Sequence, residues 1–124
     1  MAMQSPLRVL IVDDERDATV TLAKFLTSRG HVTATAANGA EAFKAVLSQD
    51  FDVVMTDLRM PGMDGADFLA RVRVERPGIS IIVMTGYTEL DSEDRVWANA
   101  GVSAVLQKPL DLRQISQILS AYPR

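Results

Sequence analysis

Three aspartates lie at the ends of two hydrophobic segments of the sequence. Asp13 and Asp14 directly follow Leu7 to Val12, and Asp57 directly follows Asp52 to Thr56. Carboxylates that lie close together repel one another unless a cation or a proton neutralises part of their charge. Oxygen ligands of this kind are the ones that Mg²⁺ prefers in proteins. If the fold brings the three side chains together, they therefore predict a site for a divalent metal ion.

A hydroxyl group and an ammonium group follow two later hydrophobic segments, at Thr85 and Lys108. Together with three carboxylates, these groups suit the transfer of a phosphoryl group to an aspartate. Asp13 and Asp14 would hold Mg²⁺, and the metal and Lys108 would screen the negative charge of the phosphoryl donor. Asp57 would then attack as the nucleophile and form an acyl phosphate, while the Thr85 hydroxyl donates to a phosphoryl oxygen.

The elements that would position these residues are those of an α/β fold. Five short segments rich in Val and Ile alternate with five segments of helical periodicity, which predicts a parallel sheet covered by helices. The strands are predicted at Leu7 to Val12, Val32 to Ala36, Asp52 to Thr56, Ser80 to Thr85 and Val102 to Leu106. The apolar helix faces run from Leu22 to Leu26, Ala42 to Leu47, Phe68 to Val72, Leu90 to Ala100 and Leu112 to Leu119.

The expected order of the five strands is 2-1-3-4-5, in a doubly wound sheet with helices on both faces. Open sheets of this type bind ligands outside the carboxyl ends of their strands, at the point where the strand order reverses. In this order the reversal falls between the first and third strands, where the three aspartates lie. Thr85 and Lys108 belong to the same edge, so the architecture predicts that all five side chains converge.

Each polar residue also has an ordinary structural interpretation. Asp14 could cap a helix, Thr85 could simply end a strand, and Lys108 could be a surface charge. Their joint occurrence at equivalent strand ends favours a common site instead. Asn38-Gly39 could form a hairpin turn, but the helical spacing that follows favours a loop leading into a helix. His31 is interpreted as a boundary residue of the second strand and not as a phosphorelay histidine.

Composition excludes several classes of protein. The 124 residues are 48% hydrophobic and 23% charged, which is typical of one globular domain, expected at residues 7–121 between flexible termini at 1–6 and 122–124. Cysteine is absent and histidine occurs once, which argues against disulfides and a zinc site. The net charge of −3 argues against direct nucleic-acid binding. The lack of a signal peptide or of about 18 consecutive apolar residues predicts a cytoplasmic protein without a membrane contact.

Four motifs give the chain a close resemblance to two-component response regulator receiver domains, over nearly all of its length. In sequence order they are Val12-Asp13-Asp14-Glu15, Thr56 to Gly65 (TDLRMPGMDG), Met84-Thr85-Gly86 and Gln107-Lys108-Pro109. In this order and at this spacing the motifs are highly specific for the family. The resemblance implies a flavodoxin-like fold and a role in signal transduction.

The resemblance also implies partners and residue roles. A sensor histidine kinase or a histidine phosphotransfer protein would donate the phosphoryl group to Asp57, with Mg²⁺ held by Asp13, Asp14, Asp57 and the main-chain carbonyl of Arg59. The face formed by the fourth and fifth helices and the fifth strand would then bind a downstream protein or an output domain, or form a dimer on phosphorylation. Such a domain catalyses only its own phosphorylation and dephosphorylation, and its Lys108-Pro109 peptide is commonly cis.

One position departs from the family pattern. Receivers commonly carry Tyr or Phe three residues before the lysine, where this chain has Val105, so the usual coupling of threonine to an aromatic ring is not available. The alternative function is therefore a pseudo-receiver that binds partners without physiological phosphorylation. A third class, aspartyl phosphatases that resemble haloacid dehalogenases, needs a second acid two residues after the nucleophile, where Arg59 stands.

Overall fold

Strands and helices alternate along the chain, as the hydrophobic pattern predicts. The computed structural model describes residues 6–57, 65–86 and 102–121. The strands are β1 Arg8–Val12, β2 Val32–Ala36, β3 Val53–Asp57, β4 Ser80–Thr85 and β5 Ala104–Gln107. The helices described are α1 Arg16–Ser28, α2 Gly39–Ser48, α3 Gly65–Glu75 and α4 Leu112–Ser120. All five strands therefore begin and end within two residues of their predicted bounds.

The helix predicted from Leu90 to Ala100 falls outside the described residues, so four helices are described where five were expected and α4 is the C-terminal one. Among these four, none is long and apolar enough to span a membrane.

The five strands form one parallel sheet with the order β2-β1-β3-β4-β5, which confirms the predicted topology. In the register of the sheet, Val12 at the end of β1 lies beside both Ala36 of β2 and Thr56 of β3. Asp57 at the end of β3 lies beside Met84 of β4. The strand ends that carry the polar residues are therefore level with one another at the carboxyl edge of the sheet.

Two apolar clusters hold the sheet between its helices. Because successive strand residues point to opposite faces, Leu10 and Val54 belong to one cluster while Val9 and Met55 belong to the other. The first cluster packs against α2 and α3 and includes Phe68, and the second packs against α1 and α4. Burial on both faces explains why β1, β3 and β4 are nearly continuous apolar runs. The edge strand β2 is less buried and carries Thr33 and Thr35.

Local hydrogen bonds define the helix ends. The Asn38 side chain accepts from the Glu41 amide at 2.8 Å and so caps the start of α2, which confirms a loop leading into a helix and excludes the hairpin. Gly30, just after α1, adopts a φ of 92°, and its amide donates to the carbonyl of Thr27 at 3.0 Å. This left-handed conformation closes the helix and turns the chain into β2.

His31 is buried between the end of α1 and β1, with 5% of its surface exposed. Its Nδ1 accepts a hydrogen bond from the Leu7 amide at 3.0 Å, and its own amide donates to the carbonyl of Leu26. An imidazole that accepts at Nδ1 is neutral and carries its proton on Nε2. Burial disfavours the charged form and lowers the pKa of His31 below its ordinary value.

The stability that neutral His31 contributes is expected to depend on pH. Because its pKa in the folded state is lowered, the contribution is fully present above about pH 6.5 and falls as the pH decreases below that value. One such group changes the free energy of unfolding by at most about 1.4 kcal/mol per pH unit. Urea unfolding at pH 7.5 and 5.5 should show wild type losing more stability than His31→Asn, which retains an acceptor but does not titrate. Equal losses would contradict this assignment.

Candidate functional site

The three aspartates predicted to converge do lie together at the carboxyl edge of the sheet. One carboxylate oxygen from each of Asp13, Asp14 and Asp57 can be chosen so that all three lie within 4.8 Å of one another. Asp13 is buried, Asp57 is partly buried and Asp14 is exposed. The cluster is therefore open to solvent on the side of Asp14 and closed on the side of Asp13.

The loop after β1 is held by the Asp13 backbone and side chain. The Asp13 amide donates to the carbonyl of Ala36 at 3.1 Å, and Asp13 Oδ1 accepts from the Glu15 amide at 2.9 Å. The residue at the N-cap position of α1 is Glu15, so the alternative in which Asp14 caps this helix is wrong. One carboxylate oxygen of Asp13 thus holds the loop, and the other, Oδ2, lies in the cluster of charged side chains.

Lys108 joins the two more buried carboxylates. Its Nζ donates to Asp13 Oδ2 at 2.9 Å and to Asp57 Oδ2 at 2.5 Å. The lysine is placed by the end of β5, where its amide donates to the carbonyl of Thr85 at 2.8 Å, and the Lys108-Pro109 peptide is cis as the resemblance implied. The ammonium group therefore neutralises part of the charge that would otherwise drive the two carboxylates apart.

The electrostatic environment of Lys108 contains two opposing effects. Partial burial of the ammonium group favours its neutral form, whereas the hydrogen bonds that it donates to Asp57 and Asp13 and the attraction to both carboxylates favour the charged form. The carboxylates outweigh burial, and the pKa of Lys108 is raised above its ordinary value. Lys108 is therefore a cation throughout the neutral pH range.

Thr85 lies at the end of β4 and is buried, with its hydroxyl donating to the carbonyl of Gly86 at 3.3 Å. The structure thus places Thr85 at the predicted edge but not in a hydrogen bond with the described carboxylates. Val105 is partly buried on β5 beside Val83 and packs against the cluster that contains Phe68. Arg59, the remaining predicted site residue, lies outside the described residues.

A groove of about 690 Å³ opens beside the carboxylates, between α1 and the segment that joins β5 to α4. Its apolar residues include Leu22 of α1, Leu110 and Leu112, and Glu15 and Asp17 lie at its acidic side. Sequence analysis did not identify this groove, because its walls come from segments about 90 residues apart that look like ordinary helix and loop surface.

The donor set at this edge fits a hard divalent cation. Three carboxylates supply only oxygen ligands, and the described part of the chain already holds one cation, the Lys108 ammonium group, between Asp13 and Asp57. Mg²⁺ needs only one or two carboxylates together with phosphate oxygens and water. Asp13, Asp14 and Asp57 are thus suited to hold a divalent cation such as Mg²⁺.

Residues 9–120 match a family model described as the response regulator receiver domain. The sporulation initiation phosphotransferase F of Bacillus subtilis is 34% identical over 115 residues, which cover 93% of this chain and 92% of that protein. The transcriptional regulatory protein TcrA of Mycobacterium tuberculosis is 35% identical over 121 residues, or 97% of this chain and 47% of TcrA. This chain therefore spans most of the first relative and about half of the second.

Solved structures show the same fold. A receiver domain protein of Methanospirillum hungatei, described as CheY-like, has a TM-score of 0.86 and 28% identity, covering 93% of this chain and 91% of its own. The response regulator TrrA of Thermotoga maritima, solved in complex with Mg²⁺ and BeF, has a TM-score of 0.81 and 28% identity, covering 94% and 99%. Each of these structures matches the fold of this chain over more than nine tenths of its length.

Proposed function

This chain belongs to the response regulator receiver domain family, and from the geometry of its site we propose that it accepts a phosphoryl group on Asp57 in a two-component signalling system. The observation that carries this proposal is the contact of one cation, Lys108, with both Asp13 and Asp57 beside the exposed Asp14. This arrangement supports the proposal, because Asp57 would serve as the nucleophile, Lys108 would neutralise phosphate charge and the three aspartates would hold the metal at one edge of the sheet.

In the proposed reaction an Asp57 oxygen attacks the phosphorus atom of a phosphohistidine. The new P–O bond forms as the P–N bond breaks, and the departing imidazole nitrogen keeps the electron pair and takes up a proton. Asp13 and Asp14, with Asp57 and the Arg59 carbonyl, would hold Mg²⁺, which when bound supplies positive charge to the phosphoryl oxygens. The product is an acyl phosphate, and the chain catalyses only its formation and its hydrolysis.

Two further residues act on the transferred group in this proposal. Lys108 exchanges its contact with Asp57 for one with a phosphoryl oxygen, which its charged state at neutral pH allows. The Thr85 hydroxyl exchanges the Gly86 carbonyl for another phosphoryl oxygen. Val105 has no ring that could move with Thr85. The backbone around Thr85 would therefore carry the signal to the surface formed by the predicted helix from Leu90 to Ala100, by β5 and by the C-terminal helix α4.

The proposed donor is a sensor histidine kinase or a histidine phosphotransfer protein in the cytoplasm, acting on a domain that extends over residues 7–121. The name of the B. subtilis relative, a phosphotransferase, favours a relay in which the group passes on to another protein. TcrA, a transcriptional regulatory protein of which this chain covers 47%, favours an output domain as the downstream partner. In either case the phosphorylated surface acts by binding protein, including a second copy of the chain, and not by contacting nucleic acid directly.

The test is to incubate the protein with Mg²⁺ and acetyl phosphate and to record its intact mass. We expect wild type to gain one phosphoryl group and Asp57→Asn to gain none. Asp50→Asn is the matched control, because it removes the same charge from a side chain that is 94% exposed and should be phosphorylated like wild type. If folded wild type that binds Mg²⁺ gains no group from acetyl phosphate or from phosphorylated kinases, the pseudo-receiver function is the better description.

A further inference from the structure

Thr56 places a hydroxyl group in a row of otherwise apolar residues across the sheet. The register sets it beside Val12 of β1 and Val83 of β4, and the row continues to Ala36 and Val105. Thr56 is fully buried. Threonine and valine have nearly the same shape, so packing alone would be satisfied by another valine here. The feature that requires explanation is the buried hydroxyl, which costs free energy unless it forms a hydrogen bond.

The hydrogen bond that the Thr56 hydroxyl makes is directed at the site. Its Oγ1 donates to the main-chain carbonyl of the next residue, Asp57, at 3.0 Å. Side chains alternate along a strand, so Thr56 faces the α2 and α3 side while Asp57 projects on the opposite side, toward Lys108. The hydroxyl therefore does not touch the reacting atoms. It can act on Asp57 only through the backbone.

We propose that Thr56 is a positioning residue whose hydroxyl holds the Asp57 peptide in the orientation that directs its carboxylate toward Lys108 and Asp13. The inference rests on the proposed function of Asp57. A fixed carbonyl limits rotation of the peptide that follows Asp57, which is also the start of the segment leading to Arg59. Without the hydroxyl this carbonyl loses a donor, and the carboxylate loses part of its alignment. Misplacement of a reacting group by about 1 Å can slow a reaction about 100-fold.

The test compares Thr56→Val, which keeps the shape and removes the hydroxyl, with Thr56→Ser, which keeps the hydroxyl and removes a methyl group. For Thr56→Val we expect Mg²⁺ affinity, measured by calorimetry with the metal alone, to fall about fivefold. At saturating acetyl phosphate its rate of phosphorylation should fall about tenfold, with little change in the half-saturating donor concentration. Thr56→Ser should stay within about twofold of wild type in both measurements.

Thermal unfolding separates this role from a purely structural one. The lost methyl group should make Thr56→Ser the less stable variant, whereas Thr56→Val should match or exceed it. Thr56→Val would then be the more stable variant but the one with the weaker Mg²⁺ binding and the slower phosphorylation. A purely structural role of Thr56 would instead lower stability and activity together. If Thr56→Val does not fold, Thr56→Ala, which also lacks the hydroxyl, replaces it with the same expectation.

The outcomes distinguish this inference from the proposed function. If wild type is phosphorylated and the hydroxyl-free variant equals it in rate and in Mg²⁺ affinity, the positioning role is overturned while the function of Asp57 stands. If wild type is not phosphorylated, the proposed function fails, and Mg²⁺ affinity decides the inference. The positioning role of Thr56 is then supported if Thr56→Val binds Mg²⁺ about fivefold more weakly than wild type while Thr56→Ser does not. Equal Mg²⁺ affinities in wild type and both variants overturn it.

Discussion

Lys108→Met is expected to slow phosphorylation of Asp57 by acetyl phosphate about 100-fold, since removing one donor to a developing charge typically has an effect of this size. Methionine keeps much of the length and apolar stem of lysine but has no charge. The variant leaves the carboxylates of Asp13 and Asp57, whose side chains are only 3% and 13% exposed, without the cation they share. The metal-free protein should therefore also lose about 1–3 kcal/mol of its free energy of unfolding.

Added Mg²⁺ should distinguish the two effects of Lys108→Met. A metal ion held by the aspartates restores the missing positive charge, so Mg²⁺ should stabilise the variant at least as much as wild type. It should not restore the rate of phosphorylation, because the lysine contact with the phosphoryl group is still missing.

Because the pKa of Lys108 is raised, its stabilising charge is present at neutral pH and is lost only as the pH rises through that raised value. The rate deficit should thus be similar at pH 6.5 and 8.5.

The matched control for Lys108→Met is Lys44→Met, which removes the same charge from an exposed residue of α2. We expect the control to be phosphorylated at the wild-type rate and to unfold within about 0.5 kcal/mol of wild type. A Lys108→Met protein that is phosphorylated as fast as this control would show that the lysine bridges the carboxylates without taking part in phosphoryl transfer.

Asp13→Asn is expected to weaken Mg²⁺ binding at least tenfold and to lower the rate of phosphorylation at limiting Mg²⁺ in proportion. Asparagine retains an oxygen that accepts from the Glu15 amide, so the loop after β1 should keep its shape. The change removes one negative charge from the cluster and with it much of the attraction for a divalent cation. Raising the Mg²⁺ concentration should recover part of the lost rate, since the nucleophile and Lys108 remain.

Calorimetric titration with Mg²⁺ provides the measurement for Asp13→Asn, and Asp50→Asn again provides a control with the same change in charge. We expect the control to bind Mg²⁺ within about twofold of wild type, because its exposed carboxylate lies before β3 and outside the cluster of three aspartates. Equal affinities for Asp13→Asn and Asp50→Asn would remove Asp13 from the set of metal ligands.

Much of the site was predictable because strand periodicity and strand ends are local properties of a sequence. Apolar runs identified most of the strands. The polar residues at or just beyond the carboxyl ends of four strands, Asp13, Asp57, Thr85 and Lys108, had to lie at one edge once the strands were parallel. The structure confirms the predicted order, and the strand bounds agree with the predicted ones to within two residues. For Asp14 the sequence did not distinguish a role in the metal site from a role as a helix cap. The structure excludes the cap, because Glu15 occupies the N-cap position of α1.

The sequence alone was sufficient for the α/β architecture and for the polar residues at the strand ends, because these depend on short-range patterns of apolar and polar residues. The strand order was expected from the doubly wound architecture as a whole, and the pairing of the strands confirms it. Only the tertiary structure decided which groups contact each other. Lys108 lies 95 residues from Asp13 and 51 from Asp57, yet its ammonium group bonds to both. The Thr56 hydroxyl turns toward the Asp57 carbonyl, and the Thr85 hydroxyl turns toward Gly86. Hydrogen bonds and charge pairing change over fractions of an ångström, and distances on that scale follow from how the whole chain packs.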